Sequence, residues 1–256
     1  MSEPARGQGV QQLSLRDASG ASGPRNPADS AEPRFSQTEL LHGWTVVIPV
    51  KPTALGKSRL VGSGDRAALA RAIALDTIEA ARRVCPVVVV TADAEVAAAA
   101  RELGASVVGE GEPAGLNAAI ARGVDAARSG HRAAMLGDLP ALRSTDLAAA
   151  LRDAASLDRA VVPDAEGTGS TLVTARAGMA WASAFGADSL ARHIALGCTA
   201  LDAAASLRRD VDTVEQLAAA ATLGLGPRTS TLQPTSHNDT VAITLEELSD
   251  TRRKRG

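Results

Sequence analysis

From Trp44 onward the chain carries short runs that are apolar at nearly every position, such as WTVVIPV, PVVVVT and RAVVP. A strand with one face in water alternates apolar and polar residues; a strand covered on both faces does not. Amphipathic stretches separate these runs: RAALARAIALDTIEAARRV, DAEVAAAARELG, LNAAIARGVDAARSG and STDLAAALRDAAS. Strands alternating with helices build a mostly parallel sheet between helical layers. The expected fold class is therefore α/β: a three-layer, Rossmann-like domain with a mostly parallel mixed sheet. Asp65 stands where it would cap the first helix, and Gly104 would close the second as its C′ residue. The third helix should run to Gly130, and the fourth opens with the capping types Ser144 and Thr145. Further strands are expected at ASVVGE, RAAMLGD and STLVTA. A helix over DSLARHIALG should end at Gly197, and LRRDVD leads into the helix TVEQLAAAATLG.

Three regions follow. Residues 1–42 mix Gly, Pro, Ser and Ala with scattered charges and no periodicity, which predicts a disordered tail because too little apolar surface offsets the entropy of ordering it. Residues 43–228 hold the folded domain, and 229–256 read as a polar, flexible tail. Only Phe35, Phe185, Trp44 and Trp181 are aromatic, so base-stacking platforms for single-stranded nucleic acid are excluded. A formal charge of −2 argues equally against coating DNA. Cys85 and Cys198 have neither metal-site spacing nor the density of a disulfide scaffold. No apolar run reaches the length of a membrane span, and the first residues lack the charged-then-apolar order of a signal peptide. A cytoplasmic protein is expected.

In open α/β sheets ligands bind beyond the carboxyl ends of the strands, so the residues after each strand carry the chemistry. WTVVIPV is followed by Lys51, Lys57 and Arg59, with Gly56-Lys57-Ser58 resembling the tail of a P-loop. A Walker A loop needs glycine where Lys51 stands, and a helix beginning at the GK pair. Here the next helical pattern starts only near Asp65, so this is a cationic strand-to-helix loop rather than a P-loop. RAAML ends in Gly137-Asp138. RAVVP runs into Asp164 and then Gly167-Thr168-Gly169-Ser170. LRRDVD brings Asp210 and Asp212, which an extended segment would place on one face. Converging carboxylates repel unless a cation joins them, and Mg²⁺ takes oxygen ligands together with substrate phosphates.

Other chemistries find less support. His42, His131, His193 and His237 form no HExxH pattern, and no G-x-S-x-G elbow presents a nucleophilic serine. GTGST reads as an amide cradle for an anion, with Ser170 or Thr171 adding a hydroxyl. In FGADSLARH, Gly186 precedes a helix whose first turn holds Asp188 and Ser189, which suits an anion or a plain helix cap. Asn117, opening a helix, could bond a base, a ribose or its own backbone.

Taken in order, VIPVKPTALGKSRL, GLNAAIARG, AMLGDLPAL, PDAEGTGSTLV, FGADSLARH and LRRDVDT resemble the CofC/FbiD guanylyltransferases of coenzyme F-420 biosynthesis, from about Trp44 to Leu223. That resemblance implies a nucleotidyltransferase fold of the GT-A/MobA-like type. It implies a Mg²⁺-dependent transfer joining GTP to phosphoenolpyruvate, with release of pyrophosphate; 2-phospho-L-lactate and 3-phosphoglycerate are the alternative acceptors. The family's metal-binding acids fall on Asp138, Asp210 and Asp212. Its phosphoenolpyruvate contacts fall on Ser170, where a member of the family has Thr, and on Gly186 and Ser189. The nucleotide side is assigned Lys51, Lys57, Arg59 and Asn117, with Lys57 and Arg59 also neutralising the departing pyrophosphate. The implied partners are GTP and a small phosphorylated acid, without nucleic acid or membrane, and a homodimer is the assembly to test. A metal-dependent sugar-nucleotide transferase and a non-catalytic nucleotide-binding protein are the rival readings.

Overall fold

The computed structural model describes residues 41, 43–51, 66–112, 115–127 and 130–232. Lys57, Arg59 and the capping residue Asp65 lie outside them, as do residues 1–40 and 233–256. The described elements are β1 (Trp44–Pro49), α1 (Arg66–Arg82), β2 (Val87–Val90), α2 (Ala94–Glu102), β3 (Ser106–Val108), α3 (Leu116–Ala126), β4 (His131–Met135), α4 (Ser144–Ala154), β5 (Arg159–Pro163), β6 (Ser170–Ala175), α5 (Ser189–Ala195), β7 (Thr199–Ala200), α6 (Ala205–Arg208), α7 (Val214–Leu223) and α8 (Pro227–Leu232). They build one seven-stranded sheet in the order β3-β2-β1-β4-β6-β5-β7. All pairings are parallel except those of β6, which runs antiparallel to both β4 and β5. The expected mostly parallel mixed sheet is what forms.

The apolar runs are continuous because each strand feeds two cores. Val46 and Ile48 of β1 and Val87 and Val89 of β2 pack with α1, α2 and α4 through Ile78, Val96 and Leu151. Their neighbours Val47, Val88 and Val90 face the opposite way, against Ile120 and Val124 of α3 and against Phe185. Helix α3 lies on the far face because the chain reverses direction there: after β3 it crosses back over β2 and β1 to start β4. Right-handed crossovers place helices of opposite travel on opposite faces. The reversal leaves a crevice between the carboxyl ends of β1 and β4, where such sheets bind ligands.

Several local expectations change. Gly104 does close α2, with φ 79°, while Asp93 caps its start by accepting the Glu95 and Val96 amides. Helix α3 stops at Ala126, short of Gly130. Helix α4 has no side-chain cap; the Ser144 hydroxyl donates instead to the Ala80 carbonyl of α1. The expected boundary at residue 228 falls inside α8, whose Thr229 is fully buried. No helix among the described residues is long and apolar enough to cross a membrane.

Gly123 lets α3 approach the sheet. A Cβ there would sit 2.4 Å from Val47 Cγ1 and 2.7 Å from Val90 Cγ2. Gly123→Ala would gain about 1 kcal/mol of helix propensity, but overpacking costs about 1–3 kcal/mol or more. The clash should win, and urea unfolding should show a net loss of stability.

Candidate active site

The crevice is a cleft of about 460 Å³ lined from both ends of the domain sequence. The end of β1 contributes Val50 and Lys51, and the end of β4 contributes Leu136, Gly137 and Asp138. Gly137 sits in a tight place: a Cβ would lie 3.2 Å from Ile48 Cγ2 and 3.2 Å from the Pro49 carbonyl oxygen, closer than usual contact. Because β6 is antiparallel, its first residue, Ser170, starts where β4 ends and enters the same cleft. Its neighbour Thr171 faces the other side, donating to the Leu207 carbonyl at 2.7 Å. Ser170 is therefore the hydroxyl of this pair that a ligand can meet.

Asp210 and Asp212 both line the cleft while Val211 between them is fully buried, the two-residue alternation expected of an extended segment. The Val211 amide donates to the Asp138 carbonyl at 3.1 Å, which ties this segment to the end of β4. A capping box between Thr213 and Gln216 then starts α7. The Gln216 side chain also accepts the Asp212 amide at 2.8 Å.

Burial pushes the Asp210 carboxyl up to about 7, and the neighbouring charges of Asp138, Asp212 and Asp164 add to it. One oxygen of Asp210, Oδ1, is buried and has no hydrogen-bond partner among the described residues. An all-oxygen donor set with a buried, unbonded carboxylate oxygen suits a hard divalent cation. Still, no three His, Cys, Asp or Glu side chains among the described residues are grouped closely enough to hold one by themselves. The expected triad of Asp138, Asp210 and Asp212 is therefore not a ready-made ligand set: Asp212 stands exposed beside the α7 cap, while Asp138 and Asp210 are partly buried.

The glycine loop is not the open anion cradle expected. The Asp164 carboxylate accepts from the Thr168 amide at 2.9 Å and the Gly169 amide at 2.7 Å, so the loop holds an internal anion. A Cβ at Gly169 would lie 2.3 Å from Asp164 Oδ2. Arg208 fixes the Asp164 backbone, donating to its carbonyl at 2.9 Å. The Leu190 amide, at the start of α5, is likewise taken by the Thr168 carbonyl. Ser170, Gly186 and Ser189 line the cleft, while the Thr168, Gly169 and Leu190 amides are engaged internally. Gly186 has φ 131°, which a residue with a Cβ rarely adopts.

Asn117 does not line the cleft, so the nucleotide contact expected of it gives way to a structural one. Its Oδ1 accepts from the Phe185 amide at 2.9 Å and its Nδ2 donates to the Phe185 carbonyl at 3.0 Å. That spends its amide on holding the segment before Gly186. From the other side the Ala184 amide donates to His193 Nε2 at 2.8 Å. His193 Nδ1 lies 3.0 Å from Ser170 Oγ, and burial pushes its imidazole down to about 4. Asp164 and His193 are the residues around the site whose contacts were not anticipated. An Asp three residues before a GTG turn is a loop-closing signal, whereas nothing local to His193 points to Ser170.

Residues 44–218 match the family described as guanylyl transferase CofC like. The phosphoenolpyruvate guanylyltransferase of Streptomyces coelicolor is 47% identical over 200 residues, covering 73% of this chain and 94% of its own length. That of Thermomonospora curvata is 46% identical, covering 74% and 88%. Among solved structures, a putative nucleotide-diphospho-sugar transferase from Desulfovibrio desulfuricans superposes with a TM-score of 0.55 at 17% identity, over 78% of this chain and 96% of the other. A nucleotidyl transferase from Methanothermobacter does so with a TM-score of 0.51 at 16% identity, over 70% and 97%. These structural likenesses establish the nucleotidyltransferase fold.

Proposed function

The chain belongs to the family of CofC-like guanylyl transferases, and we propose that it joins GTP to phosphoenolpyruvate in coenzyme F-420 biosynthesis. The products are enolpyruvoyl-2-diphospho-5'-guanosine and pyrophosphate. One observation carries the reading: Asp138, Asp210 and Asp212 share a single cleft with Ser170, Gly186 and Ser189 in a chain of this family.

An oxygen of the phosphoenolpyruvate phosphate attacks the α-phosphorus of GTP. The bond between the α-phosphorus and its bridging oxygen to the β-phosphate breaks, and pyrophosphate departs with that oxygen. A phosphate monoester, with its second pKa about 6, is already ionised at neutral pH, so no side chain has to remove a proton. The obstacle is bringing an anion up to a triphosphate. Asp138 and Asp210, with Asp212 at the rim, are the residues assigned to hold Mg²⁺, the rest of its shell coming from phosphate oxygens and water. Bound there, Mg²⁺ would screen the phosphates and stabilise the charge on the leaving oxygen. Lys51 lines the same cleft and adds positive charge on the nucleotide side. Lys57 and Arg59 are assigned to the departing pyrophosphate from their place in the sequence after β1. Ser170, Ser189 and the Gly186 backbone are assigned to the phospho-acid, and the non-polar wall of Leu116, Leu136 and Phe185 accommodates its carbon atoms.

The test pairs GTP, ATP, CTP and UTP with phosphoenolpyruvate, 2-phospho-L-lactate, 3-phosphoglycerate and a sugar 1-phosphate, reading products by mass. GTP with phosphoenolpyruvate should give the dominant coupled product. A sugar nucleotide as the main product, or no coupled product from any pair, would refute the assignment.

A further inference from the structure

The contacts of His193 locate a proton. The Ala184 amide can only donate, and it donates to Nε2 at 2.8 Å. Nε2 must therefore carry its lone pair, and in the neutral ring the proton stands on Nδ1. The ring is fully buried, with the edge of Phe185 against it at a centroid distance of 4.9 Å. Burial disfavours the charged form, in keeping with the pKa of about 4. Nδ1–H lies 3.0 Å from Ser170 Oγ and also engages the Ser189 backbone, a hydrogen bond that opposes the effect of burial on the ring; a protonated Nδ1 leaves Ser170 Oγ no acceptor there. Ser170 therefore accepts from the histidine, and its own hydroxyl proton is left to donate. Ser170 is 3% exposed, and the cleft is the space its side chain borders.

We propose that His193 is a positioning residue that fixes the Ser170 hydroxyl as a hydrogen-bond donor toward the anionic acceptor substrate. The inference rests on the reading of this cleft as a phospho-acid site and adds the polarity of one contact. A serine that gave its proton to an unprotonated ring nitrogen would meet an anion with its lone pairs; a serine facing a ring N–H keeps its proton for the anion. The same ring, by accepting from Ala184, also holds the segment that presents Gly186, so one tautomer sets both sides of the acceptor pocket.

The two nitrogens can be replaced separately. In His193→Gln, the side-chain oxygen can take the place of Nε2 and keep the Ala184 bond, while the donor to Ser170 is lost. In His193→Asn, the side-chain amide can take the place of Nδ1 and keep that donor. Losing a hydrogen bond that orients a contact to a charged group should raise the KM for phosphoenolpyruvate about ten- to a hundredfold in His193→Gln. The KM for GTP should be unchanged, and His193→Asn should restore most of the acceptor affinity. Because His193 acts through Ser170, adding Ser170→Ala to His193→Gln should cost little more than either change alone. In the wild-type protein, ¹⁵N NMR of the imidazole should show a protonated Nδ1 and an unprotonated Nε2, a reading that needs no variant to fold. An Nε2–H tautomer, equal rises in both KM values, or fully additive losses in the double variant would each overturn the role of His193. A protein that couples no phospho-acid to any nucleotide would overturn the proposed function instead, and with it the substrate named here.

Discussion

Asp210→Asn should remove turnover by on the order of a thousandfold, the equivalent of several kcal/mol of transition-state stabilisation, while making the metal-free protein more stable at pH 8. The two effects have one cause. Burial and the charges of Asp138, Asp212 and Asp164 raise the Asp210 carboxyl from its ordinary 3.8 to about 7. A carboxyl raised on folding contributes its full stability below the unfolded pKa, and that contribution is lost as pH rises through the folded one. The metal-free protein should therefore weaken between about pH 4 and pH 8, by on the order of a few kcal/mol from this group. A cation held by the carboxylates replaces the proton, so Mg²⁺ should raise the melting temperature more at pH 8 than at pH 6. Asn carries no charge to relieve, so the variant in EDTA should melt higher than wild type at pH 8 and show a flatter pH dependence. Thermal melts at both pH values, with and without Mg²⁺, read all of this. A variant that keeps full activity and the wild-type slope would contradict the assignment of Asp210.

Asp76→Ala should be the most damaging change to stability outside the cleft, costing roughly 3–5 kcal/mol because partners built around a buried charge lose it. Asp76 is 6% exposed on α1. It accepts from the Thr229 amide at 2.7 Å, the Thr229 hydroxyl at 2.7 Å and the Arg228 amide at 3.2 Å. Arg228 adds an ion pair to Asp76 and a second to Glu79. Gly226 precedes this clasp because a Cβ there would come within 2.4 Å of the Asp76 carboxylate. Removing the carboxylate leaves the Thr229 amide, the Thr229 hydroxyl and the Arg228 amide without their acceptor, with only the Arg228–Glu79 pair left, and α8 should detach from α1. Chemical denaturation and hydrogen exchange of the α8 amides both read this, and wild-type protection of those amides in Asp76→Ala would argue against it.

Much of the sheet is legible in the sequence because burial on two faces writes apolar residues at successive positions, as in Val46-Val47-Ile48 and Val87 to Val90. The carboxyl-end rule then puts Lys51, Asp138 and Ser170 near one another without coordinates. Strand direction is not written in the same way. STLVTA would look alike in either sense, so the antiparallel course of β6, which aims Ser170 rather than Thr171 into the cleft, becomes visible only in the fold. The two-residue β7 pairs too briefly to leave a pattern. Bonds between residues far apart in the chain are hidden too: Asp76 to Thr229, Asn117 to Phe185 and His193 to Ser170 join segments with no local link. Asn117 shows the consequence. Its type suits a base, but both ends of its amide bond the Phe185 backbone and hold a loop. GTGS likewise suits an anion, and it has one, supplied internally by Asp164.

The central claim is that this cleft forms a new phosphate–phosphate bond between GTP and phosphoenolpyruvate. Its most direct measurement follows pyrophosphate and the coupled product together in one reaction. Pyrophosphate should appear only when GTP, phosphoenolpyruvate and Mg²⁺ are all present, in equal molar amount to a product with the mass of guanosine monophosphate joined to the phospho-acid. Pyrophosphate released from GTP without acceptor, or no coupled product in the presence of all three, would contradict it.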